Sequence, residues 1–296
     1  MKLQYLLIGF IVLSGLFAAD AGAAPVLVDA KWLAERLNDP KVIVVDMNGE
    51  TQYLRFHLPG AINLPYHALV KMDKKKKIPV RLDDKELFAR LGHFGIKRDQ
   101  HVVIYDDMGG LNAGRLFWEL ERIGHPKVSV LNGGLVTWIL EGRKVTNEPK
   151  KRRSVVYQAK GAGRTNEARL NDVTQASKTG ASLLLDVRTD QEYLGDPKKS
   201  RTGHIPGAQW WPWDRTVDLG RGFIRRDEQA LNKTLKQIGV KDKKAPIITY
   251  CRSGHRAAQA YLTLRSLGYE NVKLYANSMN EYESIKTAPL KNGSRP

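Results

Sequence analysis

Cys251 is the single cysteine in 296 residues, and it stands in the stretch PIITYCRSGHRAAQAYLTLRSLGY, residues 246 to 269, beside Arg252 and close to Arg256. A thiol becomes a nucleophile when its surroundings stabilise the thiolate. Arg252 and Arg256 bring positive charge. The segment that follows carries Ala257, Tyr261 and Leu264 on one stripe, Ala258 and Leu262 beside it, and a stop signal at Gly268. That is helical spacing, so free backbone N–H groups and the positive end of a helix dipole face the loop. Gly254 permits the tight curl that turns successive amides inward. The loop, completed by Ser253 and His255, thus reads as a cradle for an anion before attack and for a charged sulfur product afterwards.

The apolar run before the cysteine, Ile247 to Thr249, reads as a strand. The thiol then sits at a strand's carboxyl end, where open α/β sheets bind ligands. Similar runs at Val42 to Val45, Val102 to Ile104 and Leu183 to Leu185 are separated by helical segments. Strands apolar throughout are covered on both faces, which predicts an α/β fold with mostly parallel sheets flanked by helices.

The chain also repeats itself. VIVVDMNGETQYLRFHLPGAINLPY from Val42 matches LLLDVRTDQEYLGDPKKSRTGHIPGAQWWPW from Leu183, with Asp46, Tyr53 and His57 opposite Asp186, Tyr193 and His204. Between tyrosine and histidine the second copy is seven residues longer. LGHFGIKRDQHVVIYDD meets LKQIGVKDKKAPIITYC, and LERIGHPKVSVLNGGLVTW meets LRSLGYENVKLYANSMNEY. The stretch from Gly142 to Arg169 is charged and poor in large apolar residues. The expected organisation is therefore a domain over 25–145, a linker over 146–168 and a second domain over 169–296.

Residues 1–24 read as a secretory signal peptide: Lys2 precedes an apolar run from Leu6 to Ala19, followed by alanines in A-x-A spacing. The run is shorter than the roughly 20 residues of a bilayer-spanning helix. The expected location is periplasmic or secreted, with no stable membrane insertion after cleavage. A lone thiol in an oxidising compartment is a liability unless buried or used. The net charge of +17 invites a nucleic-acid reading. Export argues against it, and the local runs KMDKKKK and PKKRR read as solvated loop and linker.

Spacing bears on the reaction class. Four residues separate Cys251 from Arg256. Cysteine phosphatases and arsenate-reducing enzymes use a similar loop with one residue more, wide enough for a tetrahedral phosphate. The smaller ring favours a smaller reacting centre, such as the outer sulfur of thiosulfate.

From about Val26 to Tyr282 the chain resembles the rhodanese family, in the tandem arrangement of thiosulfate and 3-mercaptopyruvate sulfurtransferases. The resemblance rests on LLLDVR with EYLG, on GHIPGA, and on YCRSGHRAA followed by LGYENVKLY. It implies two rhodanese-like domains and sulfur transfer through a Cys251 persulfide in the second, with no metal or organic cofactor. The partners implied are a small anionic sulfur donor and a thiophilic acceptor such as cyanide or a thiol, with room for an acceptor protein. The first copy's loop, YDDMGGLNAGR, offers Asp106 or Asp107 in place of cysteine, so that copy is expected to be inactive.

The resemblance also assigns roles. Arg252 and Arg188 are expected at the anionic substrate, and Arg256 either there or on an acidic side chain. Asp186, Tyr193 and His204 recur in the copy without cysteine, so they read as features of the fold. His255 departs from the family's frequent valine and could tune the thiolate or face solvent. YANSMNEY replaces the usual YDGSWSEW, with Asn277 expected to take the glycine's left-handed turn. Glu192 stands where mercaptopyruvate enzymes carry a second basic residue, which favours thiosulfate over an α-keto acid. QWWPWD, residues 209 to 214, is expected on the wall between domains. The alternatives are a persulfide carrier or partner-binding protein with little turnover on small molecules and, less favoured, a phosphatase or arsenate reductase.

Overall fold

The computed structural model describes residues 24–75, 77–159, 163–199, 201–294 and 296. The expected signal peptide lies outside the described residues except for Ala24. The first copy runs β1 (Leu27–Val28), α1 (Ala30–Ala34), β2 (Val42–Asp46), α2 (Glu50–Arg55), β3 (Ile62–Asn63), a 3-10 turn (Tyr66–Leu69), the hairpin β4 (Val70–Met72) and β5 (Pro79–Arg81), α3 (Asp84–His93), β6 (His101–Tyr105), α4 (Ala113–Arg122), β7 (Val128–Leu131) and α5 (Gly134–Leu140). The second copy gives the same order: β8 (Glu167–Ala168), α6 (Leu170–Thr179), β9 (Leu183–Asp186), α7 (Asp190–Leu194), β10 (Gln209–Trp210), 3-10 turns (Trp213–Thr216, Leu219–Arg221) around the hairpin β11 (Val217–Asp218) and β12 (Ile224–Arg225), α8 (Glu228–Gln237), β13 (Ile247–Tyr250), α9 (His255–Ser266), β14 (Val272–Tyr275) and α10 (Ser278–Tyr282).

Each copy builds one five-stranded sheet with every pairing parallel, in the orders β1-β7-β6-β2-β3 and β8-β14-β13-β9-β10. The central strands are buried on both faces because helices cover both, as their unbroken apolar runs require. Shared polar residues hold both copies alike. Tyr53 and Tyr193 donate to the carbonyls of Ala61 and Ala208, and each ring stacks on its histidine, His57 or His204, at 3.8 and 3.9 Å.

The two copies meet through α4 and α9. A side chain at Gly114 would lie 2.7 Å from the Ala258 carbonyl oxygen, so the helices cross almost backbone to backbone. Tyr261 donates to Glu121 at 2.5 Å, and Arg265 pairs with the same carboxylate at 3.1 Å. One apolar cluster runs through this contact from Phe117 and Trp118 to Ala257, Tyr261 and Leu264. That explains why α9 is buried along nearly its whole length rather than on one stripe.

The charged linker exposes its basic side chains, as expected, while its backbone is tied to the first copy. Thr146 pairs with His57, the Lys150 N–H donates to the Tyr53 hydroxyl, the Val155 N–H donates to the Gly92 carbonyl, and Tyr157 is buried. Gly92 allows this close approach, since a Cβ there would meet the Val155 oxygen at 2.3 Å. The lysines and arginines at 150–153 stay exposed on a strap whose backbone is tied to the first copy.

Candidate active site

Tyr250 pairs with Asp186 at the carboxyl end of β13, and Cys251 is the next residue. The loop to α9 is short because Gly254 turns it with φ +83, where a Cβ would sit 2.3 Å from the Ala276 carbonyl oxygen. Only glycine meets both demands. The Gly254 N–H points back to the Cys251 sulfur at 3.2 Å. From the other side, α10 clamps the loop. The Ser278 Oγ accepts from the Cys251 N–H at 3.1 Å, and the Met279 and Asn280 N–H groups donate to the carbonyls of Cys251 and Arg252. Sequence reasoning passed over Ser278 and placed the left-handed turn at Asn277. The structure corrects this: Asn277 has φ −79, and Ser278, fully buried, has φ +51. Its strain is offset by bonds that Oγ makes to Cys251 and, as donor, to the Tyr275 carbonyl.

The first copy shows what this position does with a negative charge. Tyr105 pairs with Asp46 as Tyr250 pairs with Asp186, so Asp106, not Asp107, is the counterpart of Cys251. Its buried carboxylate accepts from four backbone N–H groups, those of Met108, Gly110, Asn112 and Ala113, at 2.7 to 3.0 Å. The loop is three residues longer, since Ala113 follows Asp106 by seven positions where His255 follows Cys251 by four. Extra length lets the amides wrap the carboxylate. The first copy's cradle is therefore filled by its own side chain.

The arginines are placed differently from the sequence reading. Arg188 is buried, and its guanidinium donates to the Asp186 carboxylate at 2.6 to 3.1 Å and to the Gly203 carbonyl at 2.8 Å. Asp186 must be neutralised because it is fully buried. In the first copy Asn48 stands in place of the arginine, and burial pushes Asp46 up to about 7. Arg252 is half exposed and pairs with Glu283 at 2.5 Å. Arg256 binds both oxygens of Glu192 at 2.6 and 2.8 Å, holding that carboxylate down to about 2 against the opposing effect of burial. Arg256 thus takes the acidic-side-chain alternative, while Arg188 and Arg252, expected at the substrate, are held in ion pairs in this structure. Each is closed on a carboxylate, as partial burial demands. Arg188, Glu192, Gly203, Arg252 and Glu283 line a cavity of about 440 Å³ beside the loop, while Cys251 itself is only 1% exposed.

His255 neither faces solvent nor carries charge to the sulfur. Its ring stacks on Tyr66 at 3.8 Å, and its Nε2 lies 2.8 Å from Asn112 Oδ1, both in the first copy. Burial first, then Arg115 and Arg256, push it down to about 4, so it is neutral near pH 7. The QWWPWD tryptophans divide. Trp211 is buried and donates to Thr234, Trp210 donates to the Arg188 carbonyl, and Trp213 stacks on Phe223, whose carbonyl oxygen packs against Gly109 of the first copy.

Five residues of this environment were not assigned the roles they take: Ser278, Glu192, Glu283, Tyr66 and Asn112. Ser278 occupies the serine of the family's DGS turn, which could have flagged it. The others are brought in from distant segments. Among the described residues no group of histidine, cysteine and acidic side chains could hold a metal ion.

A thiol on a tight turn between a parallel strand and a helix, in a twice-repeated α/β unit, defines a class. The model of the rhodanese-like domain matches residues 29–141 and 169–285, and the chain belongs to the rhodanese family. It is 32% identical over 280 or more residues to a thiosulfate sulfurtransferase of Azotobacter vinelandii, covering 92% of this chain and 98% of that one. It is 33% identical to the sulfur carrier protein TtuD of Thermus thermophilus, covering 90% and 97%. The structure resembles that of the 3-mercaptopyruvate sulfotransferase SseA of Escherichia coli with a TM-score of 0.73 and 29% identity, covering 86% of this chain and 99% of that one.

Proposed function

We propose that the chain is an exported sulfurtransferase that takes the outer sulfur of thiosulfate onto Cys251 and passes it to cyanide or a thiol. The observation that carries this reading is the Gly254 N–H aimed at the Cys251 sulfur on the strand-to-helix turn, supported by the four N–H groups that close on the Asp106 carboxylate at the equivalent turn of the sister copy. The thiolate attacks the outer sulfur, the sulfur–sulfur bond of thiosulfate breaks, and sulfite leaves with the electron pair. The persulfide's terminal sulfur, held by the Gly254 N–H and the start of α9, is then transferred to the acceptor, which regenerates the thiolate. Donor anions reach the loop by displacing Glu192 from Arg256 and Glu283 from Arg252, which makes these two arginines the substrate contacts. Arg188 acts on the site by fixing Asp186. Thiosulfate is favoured over 3-mercaptopyruvate because Glu192 adds negative charge where an α-keto acid's carboxylate needs a cation. The apolar run ahead of Ala24 supports a periplasmic or secreted location.

The test is thiocyanate formation from thiosulfate or 3-mercaptopyruvate with cyanide, for the wild type and Cys251→Ser, with mass spectrometry for added sulfur on Cys251. Turnover that vanishes in the variant supports the reading. A stably sulfurated Cys251 with slow turnover favours the persulfide carrier, a reading supported by the burial of the thiol and the similarity to TtuD. Hydrolysis of an aryl phosphate without any sulfur uptake would overturn both.

A further inference from the structure

The copy without a cysteine is in direct contact with the reacting loop of the other. From the 3-10 turn, Tyr66 lays its ring on His255 at 3.8 Å and 26°. Burial pushes the Tyr66 hydroxyl up, and Arg115, Cys251 and Ser253 are among the groups that act on it. At the start of α4, Asn112 Oδ1 lies 2.8 Å from His255 Nε2. Asn112 is itself fixed, because its N–H is one of the four that close on Asp106, at 2.7 Å. A continuous set of contacts thus leads from the Asp106 cradle of the first copy, through Asn112, to His255, the first helical residue after the Cys251 loop of the second. Gly114 and Ala258 are in backbone contact one turn further on, so neither helix can shift to release this grip.

We propose that Asn112 and Tyr66 are positioning residues for sulfur transfer, which hold His255 and thereby the amides of the Cys251 loop in their anion-binding arrangement. This rests on the sulfurtransferase reading above. His255 opens α9, directly beyond the Gly254 turn, so tilting its ring rotates the peptide groups aimed at the sulfur. The carboxylate at the cysteine position of the first copy then has a physical role: Asp106 fixes a longer loop that reaches the sister site.

The charged and titratable groups that act on or touch His255 are Arg115 on α4, Arg256 on α9 and Tyr66 on the turn. All the cations among them disfavour an imidazolium, and Asn112 supplies an acceptor without charge. Asn112→Asp therefore keeps the acceptor but invites a proton onto His255, whereas Asn112→Ala removes the acceptor. The experiment uses the full mature chain, thiosulfate and cyanide, from pH 5 to 9. Asn112→Ala is expected to lower kcat/KM about fivefold at every pH, the loss that corresponds to one hydrogen bond of about 1 kcal/mol. Asn112→Asp is expected to run within twofold of the wild type at pH 9 and to gain a new ionisation in its pH profile between about 5 and 8. Imidazole nitrogen-15 signals of His255 in the intact variant would report the same ionisation even if turnover were lost.

Wild-type kinetics and pH profiles in both variants, with His255 neutral in Asn112→Asp down to pH 5, would overturn the proposal. A wild type that transfers no sulfur would instead overturn the reading on which it rests.

Discussion

Replacing Gly254 by alanine tests the cradle at its tightest point. The residue has φ +83, so a side chain there costs about 1–2 kcal/mol in backbone strain. The added Cβ would lie 2.3 Å from the Ala276 oxygen, about 1 Å short of ordinary contact, so the loop must move by a distance of that order. A displacement of about 1 Å in a reacting constellation is worth on the order of a 100-fold loss of rate. Losing the N–H that bonds the sulfur at 3.2 Å is worth about 100- to 1,000-fold in kcat if charge develops there. Gly239 is the control: its φ is +86, and a Cβ there meets open space. Gly239→Ala is expected to lose similar stability with full activity. Gly254→Ala should lose at least 100-fold in thiocyanate production, with stability in urea no more than about 2–3 kcal/mol below wild type. A folded Gly254→Ala variant within fivefold of wild-type kcat would refute the assignment of this amide to the reacting sulfur.

Glu192→Gln frees Arg256 from a bidentate carboxylate, so the KM for dianionic thiosulfate should fall several-fold with little change in kcat; steady-state kinetics at two ionic strengths checks this. Asp106→Ala orphans four backbone donors and should destabilise the protein by about 3–5 kcal/mol, whereas Asp107→Ala, which removes a half-buried like charge beside Asp106, should be neutral or mildly stabilising; urea melts separate the two. His125 is buried between the Tyr157 hydroxyl and the Gln100 carbonyl and is pushed down to about 4. Between pH 6.5 and 4 the unfolded chain binds a proton that the folded one refuses, so stability falls as pH falls through that window, by up to about 3 kcal/mol. His125→Gln should flatten this slope in urea melts.

The order of strands and helices was legible because each apolar run is long enough to name a buried strand and each copy repeats the other. The cysteine loop was legible for a related reason. Cradle and nucleophile are contiguous in the chain, and backbone geometry at Gly254 is a local property of the residue. Arg188, Arg252 and Arg256 were recognised as neighbours of the site, and pairing with an acidic side chain was foreseen only for Arg256. Glu192 and Glu283 lie on segments whose approach no local pattern announces. The linker's lysines and arginines signal solvent and are exposed, but its attachment to the first copy was not legible, because Gly92, far upstream, provides the groove for its backbone.

What the sequence determined by itself is therefore the α/β repeat, the family and the position of the single thiol at a strand's carboxyl end, all carried by periodicity and by residues adjacent in the chain. The tertiary structure decided the rest. It chose Asp106 over Asp107 as the counterpart of the cysteine, closed each arginine on a carboxylate, gave the left-handed turn to Ser278, and set Tyr66 and Asn112 of one copy against His255 of the other. Apart from Arg188 on Asp186, these contacts join segments well separated in the chain, and their energies come from desolvation and packing, which exist only in the folded state.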